Sequence, residues 1–112
     1  MTKKQYLKFH REFCQKMVAI TAQKNADYTG KSDDPFANFR TIELLGVTSV
    51  EAGFITRITD KLRRICTFVQ KGVLLVKEES VEDTLMDTAN YCALLAGYLH
   101  EKRENTFKAR RR

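Results

Sequence analysis

Residues 50–70 carry the sequence VEAGFITRITDKLRRICTFVQ, which is the clearest helical pattern in the chain. Its apolar residues return at steps of three and four, as they do on one face of an amphipathic α-helix. The residues of this face are Phe54, Ile55, Ile58, Leu62, Ile65, Cys66 and Val69. Gly72 stands just past the pattern, where a helix C-cap is expected. The stretch therefore predicts a long helix that buries its apolar face in a core.

Two other stretches have the same period and predict long helices before and after it. The first begins near the N-terminus and ends around Asn25, and its stripe contains Tyr6, Phe9, Phe13, Met17, Ile20 and Lys24. The last runs from about Val81 to Lys102, and it is expected to pack inward with Leu85, Ala89, Cys92, Ala96 and Leu99.

Asp33, Asp34 and Pro35 are typical of a helix start, so residues 36–45 predict a short helix that Gly46 closes. The segment VLLVK, residues 73–77, has strand-like composition but no partner strand, and we expect an extended connector or a helix end there. The sequence thus predicts an all-α fold, a bundle of three long helices and one short helix that oligomerisation completes.

Length and composition predict a single globular domain. The 112 residues leave room for one core, which we assign to residues 1–101, followed by a basic tail at 102–112. No apolar run approaches the ~20 residues that span a bilayer, so we expect a cytoplasmic protein without a membrane segment. Cys14, Cys66 and Cys92 lack zinc or redox spacing and stand among apolar residues, so we expect buried thiols.

The net charge of +6 is unevenly distributed. Residues 78–101 contain six acids and no Lys or Arg, whereas residues 102–112 contain six bases and one acid. Without that tail the body carries only +1. The total positive charge suggests a nucleic acid as partner. The separation of acidic and basic segments along the chain instead favours a metal ion and phosphate as ligands.

The acidic segment offers a metal-binding pattern. Glu79, Asp83 and Asp87 recur every four residues and Asn90 follows, so that one helix strip carries all of them. Mg²⁺ or Mn²⁺ would relieve the repulsion of such acids. Capping offers an alternative, since Ser80 and Asp83 form a capping box and acids suit a helix N-terminus. Capping does not account for Asp87 and Asn90, for which a solvated face is the alternative.

The helix at 50–70 carries a complementary basic pattern. Its polar face carries Arg57, Asp60, Lys61 and Arg64. This set predicts one of two arrangements: a phosphate-binding site in which Asp60 binds the metal, or a solvated face with internal ion pairs. Glu51 follows Thr48 at capping-box spacing, so it either closes the helix start or joins the metal site.

The segment around residues 24–39 is rich in turn formers and aromatics, and we expect a loop at 24–28. Lys24 is a candidate for assisting phosphate binding. Asn25, Asp27 and Asn38 are candidates for reading a base edge, with Tyr28 or Phe36 stacking on the base. The alternative is that the aromatics plug the end of the bundle while the polar groups cap helices.

Four motifs in order resemble a known family. They are KNADY at 24–28, DPFANF at 34–39, ExGxxxRxxDKxxRI at 51–65 and ESxxDTLMDTANY at 79–91. Together they resemble the nucleotide modification associated domain family of phages and prophages. More distantly the arrangement is similar to the MazG-like all-alpha nucleoside triphosphate pyrophosphatases, which use helix-borne acids to bind Mg²⁺. The ExxE and ExxD motifs of those enzymes are replaced here by acids at other spacings.

The resemblance and the residues together predict a Mg²⁺-dependent nucleotide pyrophosphohydrolase, with metal bound by Asp87, Asp83, Glu79 and either Glu51 or Asp60. We expect a homodimer or larger assembly to complete the site, because a unit this small has little room for a pocket. Two alternatives remain: a phage protein that sequesters a nucleotide without turnover, and a small basic accessory protein that binds nucleic acid through residues 102–112.

Overall fold

The described residues of the chain form four helices. The structure is a computed structural model that describes residues 1–28, 33–72 and 80–111. The helices are α1 (Lys3–Tyr28), α2 (Ala37–Leu44), α3 (Val50–Lys71) and α4 (Val81–Arg111). No strand occurs in these ranges, so the predicted all-α fold of three long helices and one short helix is confirmed. The predicted connector at 73–77 and the acid Glu79 lie outside the described residues.

Local capping explains where α3 and α4 begin. Ser49 is the N-cap of α3, one residue after the predicted Thr48, and its hydroxyl accepts the N–H of Ala52 at 3.1 Å. At the start of α4, the Ser80 hydroxyl accepts the N–H of Asp83 at 3.1 Å, and the Asp83 carboxylate accepts the N–H of Ser80 at 3.2 Å. The predicted capping box is therefore confirmed at α4, with the first-turn donors satisfied.

Gly46 and Gly72 close α2 and α3, as predicted. Both have positive φ angles, 74° and 76°, which glycine adopts without steric cost. The N–H of Gly72 donates to the carbonyl of Phe68 at 2.7 Å. The two helices thus end at the residues that the sequence marks.

Two predicted helix ends are wrong. α1 continues to Tyr28, so Lys24 and Asn25 are helical rather than part of a loop. α4 continues to Arg111, well past the predicted end at Lys102. Residues 102–111 contain no Gly or Pro to stop a helix, and their bases suit the negative end of its dipole. The described part of the basic tail is therefore a rigid continuation of α4.

α3 and α4 form an antiparallel pair on which the other helices pack. Glu51 at the start of α3 lies 2.9 Å from Lys102 late in α4, and Lys61 lies 3.4 Å from Asp87 early in α4. α2 packs against α3, and α1 packs along α4. The centre of the core is formed by Phe36, Val50, Phe54 and Tyr98.

Gly53 lets α2 approach α3 closely. The Phe39 ring lies on Phe54 with centroids 3.8 Å apart, and a Cβ atom at Gly53 would come within 3.2 Å of Phe39. On the other side of the core, the rings of Phe36 and Tyr98 meet edge to face at 5.6 Å. Aromatic residues from α2 and its preceding turn therefore fill the space beside α3 and α4.

The predicted inward packing of two apolar faces is confirmed for Phe54, which is fully buried, but it is wrong for most of the other residues of these faces. Along α3 and α4 the following residues are exposed: Ile55, Leu62, Cys66, Val69, Leu85, Cys92, Ala96 and Leu99. Cys14 is exposed as well, so the prediction of buried thiols is also wrong. The reason is that α1 and α2 cover one side of the α3–α4 pair and leave these apolar residues on the other.

Candidate functional site

A cleft with polar and apolar lining residues lies where α1, α2, α3 and α4 meet. Two adjoining cavities form it, and they share four residues: Lys24, Asn25, Tyr91 and Leu94. The wide part has a volume of about 360 Å³ and the narrow part about 60 Å³. The wide part falls in the range of small-molecule sites, which is roughly 300–1,000 Å³. The cleft gathers predicted site residues from three of the predicted groups: acidic, basic and amide.

Asp87 lies between two lysines from different helices. Its carboxylate oxygens are 3.4 Å from Lys24 Nζ on α1 and 3.4 Å from Lys61 Nζ on α3. Asp87 and Lys61 are largely enclosed, with side chains only 21% and 15% exposed. Strong charge-assisted contacts are about 2.7–2.9 Å. At 3.4 Å both ammonium groups therefore retain the freedom to move to another anion.

The wide part of the cleft adds a third cation and a second amide. Arg57 stands one turn before Lys61 on α3, and Asn38 comes from the first turn of α2. No described carboxylate forms an ion pair with Arg57. Phe39 and Ile42 supply an apolar wall beside these groups. Cations on one side and an apolar wall on the other suit a ligand with an anionic end and a flat end.

The narrow part contains a buried polar group without a partner. Asn90 lines it, and its Nδ2 atom is buried with no hydrogen-bond acceptor among the described residues. Leaving a buried donor unsatisfied costs about 1–3 kcal/mol. An acceptor atom of a ligand in the narrow part would recover that free energy. Asn90 therefore lies in the narrow part of the cleft together with Asp87, and its role in ligand binding stays a prediction.

The other predicted metal ligands lie elsewhere. Asp83 caps α4, Glu51 pairs with Lys102, and Asp60 pairs with Arg64 one turn along α3 at 3.3 Å. Within residues 1–28, 33–72 and 80–111, no three His, Cys, Asp or Glu residues form a group that could hold a metal ion. Three predicted residues have side chains beyond the described part of the chain: Asp27, Tyr28 and Glu79. Among the described acids, the structure thus brings Asp87 to the cleft without Asp83, Glu51 or Asp60.

Ion pairs outside the cleft hold the helices that frame it. Arg40 on α2 donates to Asp34 at 2.6 Å and to Glu101 on α4 at 2.7 Å. Burial lowers the pKa of Arg40, but the bonds and charges of these two acids raise it more, so the net shift is upward. The hydrogen bond from Lys102 lowers the pKa of Glu51. These pairs fix α2 and the start of α3 against α4.

Sequence reasoning missed several lining residues, among them Thr21, Tyr91 and Leu94. Thr21 lines the narrow part, while Tyr91 and Leu94 line both parts. Their helical spacing is a signal that could have found them. Tyr91 follows Asp87 by four residues and Thr21 precedes Lys24 by three, and such neighbours share a helix face.

Comparisons with known proteins assign no relative to this chain. It matches no family model, no curated protein and no solved structure. Among the described helices, none combines the length and the apolar composition needed to cross a bilayer. The chemistry of the cleft is therefore the basis of the functional argument.

Proposed function

We propose that the protein binds a nucleoside triphosphate in this cleft. The observation that carries the proposal is that Lys24 and Lys61 both lie beside the Asp87 carboxylate, while Arg57 lines the wide part of the same cleft. Among the described residues, three cations stand against one carboxylate here, which is an excess of positive charge. A polyphosphate is the ligand that such an excess suits, with the arginine fork and two ammonium groups contacting its oxygens.

The amide side chains bear on the non-phosphate end of the ligand, which we expect at the apolar part of the cleft. Asn25, Asn38 and Asn90 combine donors and acceptors, the complement of a base edge. The unsatisfied Nδ2 of Asn90 would donate to a ring nitrogen or a carbonyl oxygen of the base. The walls at Phe39 and Tyr91 supply aromatic surface beside them. This arrangement supports a nucleotide over inorganic polyphosphate.

The donor set also bears on Mg²⁺ and catalysis. The described cleft offers one carboxylate, which does not fit a resident metal ion. It does fit an ion that enters with the phosphates, since Mg²⁺ in proteins often uses one or two carboxylates and takes its other ligands from phosphate and water. In the pyrophosphohydrolase that the resemblance implies, Asp87 would hold that ion near the α and β phosphates. Hydrolysis accordingly rests on Asp87, whereas binding rests on the three cations.

The test is a panel of ribo- and deoxyribonucleoside triphosphates with and without Mg²⁺, measuring bound ligand by calorimetry together with released pyrophosphate and phosphate. We expect binding with affinity lowered about tenfold or more in Lys61→Gln and Arg57→Gln, because each removes a charge-assisted contact of about 1.5–3 kcal/mol. Arg63→Gln is the matched control, since Arg63 is exposed on α3 and does not line the cleft. Equal affinity in all three variants would refute the site.

Asp87→Asn separates binding from catalysis. Without Mg²⁺ this variant should bind the triphosphate more tightly than the natural chain, because both lysines lose their competing anion. If the protein is a hydrolase, the natural chain should release pyrophosphate in the presence of Mg²⁺ and Asp87→Asn should not. If it only sequesters the nucleotide, neither the natural chain nor Asp87→Asn should release any. If Asp87→Asn keeps full hydrolysis, the metal role of Asp87 is refuted.

A second candidate function concerns the C-terminal end of α4. Its last ten described residues form exposed helix with five bases and one acid: Lys102, Arg103, Glu104, Lys108, Arg110 and Arg111. Such a helix suits the phosphate backbone of a nucleic acid, whose binding weakens steeply with salt. We expect the double variant Lys108→Glu, Arg110→Glu to lose DNA binding and to keep nucleotide binding. DNA binding independent of both residues and of salt would contradict it.

A further inference from the structure

The side of the α3–α4 pair that faces away from the cleft is bare and apolar. On α3 it contains Ile55, Leu62 and Val69, and on α4 it contains Leu85 and Leu99. The exposed fractions of these five side chains range from 39% to 76%. Monomeric proteins rarely leave contiguous apolar patches of several hundred Å² in water. A partner is therefore expected on this face.

Helix geometry places both rows on the same side. At about 100° per residue, Ile55, Leu62 and Val69 are rotated by about 60–100° from Phe54, which faces the core. Leu85 and Leu99 are rotated in the same sense by about 80–120° from Tyr91, which also faces the core. Equal rotations bring residues of two antiparallel helices to one common side.

The contacts of α2 identify the opposite side. Phe39 touches Gly53 on α3, and Arg40 on α2 bonds to Glu101 on α4. Gly53 and Glu101 are rotated in the opposite sense from the apolar rows, by about 80–100°. α2 therefore covers one side of the pair, together with the cleft, and leaves the apolar face bare.

The face has the repeat of a helix–helix interface. Its rows step by seven residues on both helices: Ile55, Leu62 and Val69 on α3, and Leu85, Cys92 and Leu99 on α4. A seven-residue step keeps one seam facing a partner helix. No charged residue lies between these positions on the face. α3 presents large branched side chains, whereas α4 adds the small residues Ala89 and Ala96. A two-fold related copy would set large residues against small ones.

The chain exposes more surface than a compact monomer of its mass. The chain exposes 8881 Å², about 2,500 Å² more than the roughly 6,300 Å² expected of a compact monomer of 13.0 kDa. A stable interface covers about 800 Å² on each partner, and an obligate one covers more. The face also continues into an open groove of about 750 Å³ along α4, lined in part by Leu99 and Phe107.

We propose that the apolar face of α3 and α4 is the interface of a homodimer, in which two α3–α4 pairs form a four-helix bundle. The two clefts then lie on the outer sides of the dimer, so the partner does not contribute to them. This differs from the expectation that oligomerisation completes the site. The proposal does not rest on the proposed function, since none of the residues that would form the interface lines the cleft.

The test measures mass by light scattering and sedimentation over a wide range of protein concentration. The natural chain should have twice the 13.0 kDa mass of one chain, and Leu62→Glu and Ala96→Glu should each be monomeric. Leu45→Glu is the matched control, because Leu45 is exposed beyond α2, away from the face, and this variant should stay dimeric. Circular dichroism of every variant separates loss of the dimer from loss of the fold.

The three free cysteines provide a second readout in the natural chain. Cys66 and Cys92 lie on the face, whereas Cys14 lies on α1. Thiol labelling of Cys66 and Cys92 should slow as the protein concentration rises, while labelling of Cys14 stays constant. A chain that is monomeric at every concentration, or that labels at all three thiols alike, would overturn the proposal and assign the face to a different partner. A dimer that both Glu variants retain would overturn it equally.

Discussion

Replacing Gly53 and Gly97 by alanine, one at a time, is expected to change stability in opposite directions. Both glycines lie inside helices, where alanine is favoured over glycine by about 1 kcal/mol. At Gly97 the new Cβ would meet the Phe36 ring at 3.5 Å, an ordinary van der Waals contact. Gly97→Ala should therefore stabilise the fold by about 1 kcal/mol.

At Gly53 the same gain is opposed by a steric cost. The new Cβ would lie 3.2 Å from Phe39 Cδ1, which is too close, so the ring must move. Phe54 stacks on that ring at 3.8 Å and Tyr91 meets its edge, so little free space is available to it. Overpacking of this kind costs about 1–3 kcal/mol. Gly53→Ala should therefore be destabilising by about 1 kcal/mol on balance.

The assay is urea unfolding followed by circular dichroism, with all proteins at one concentration because a dimer makes stability depend on concentration. The two variants should differ by about 2 kcal/mol, the overpacking cost that Gly53→Ala alone incurs. Because Phe39 lines the cleft, Gly53→Ala should also weaken nucleotide binding, whereas Gly97→Ala should leave it unchanged. If Gly53→Ala stabilises the protein as much as Gly97→Ala does, the argument that Phe39 is confined is refuted.

Two further predictions concern acids outside the cleft. Asp83→Ala should lower stability by about 1 kcal/mol, because it removes the α4 cap. Asp83→Asn keeps a hydrogen-bond acceptor and should recover most of this loss. If Asp83→Asn folds stably but loses Mg²⁺-dependent activity, Asp83 belongs to the metal site instead. The pKa of Glu51 is lowered by Lys102, so its contribution to stability is complete above the ordinary carboxyl pKa and is lost as pH falls through the lowered value. Melting temperatures measured from neutral to acidic pH should therefore fall less in Glu51→Gln than in the natural chain, and identical pH profiles would contradict this.

The sequence alone determined the local features of the fold. Helical periodicity located α1, α3 and α4, because any helix that packs against a neighbour repeats its apolar residues every three to four positions. Ser80 with Asp83 and the glycines Gly46 and Gly72 marked helix ends, because capping depends on residues adjacent in the chain. The far end of α4 was missed, since a charged stretch of good helix formers resembles a solvated tail in composition.

The candidate site could be predicted only in part. Asp87 was distinguished because helix capping did not account for it, and the structure has Lys24, Lys61 and Asn90 near it. That these residues share a ligand stays a prediction. That Asp87 lies between Lys24 and Lys61 could not be predicted, because the three residues come from different helices. The positions of Glu51 and Asp60 away from the cleft depend equally on how the helices are rotated against each other.

The tertiary structure decided which face of each helix is covered. The sequence shows that α3 has an apolar face and a polar face. Because proteins generally bury apolar groups, the apolar face was predicted to lie in the core. In the folded chain Lys61 is largely enclosed on the side of the cleft, while Leu62 next to it is exposed. Periodicity determines that such faces exist, but the rotation of α3 and α4 is set by the aromatic contacts with α2 and by the ion pairs of Arg40 with Glu101 and of Glu51 with Lys102. Those long-range contacts arise only when the helices pack together.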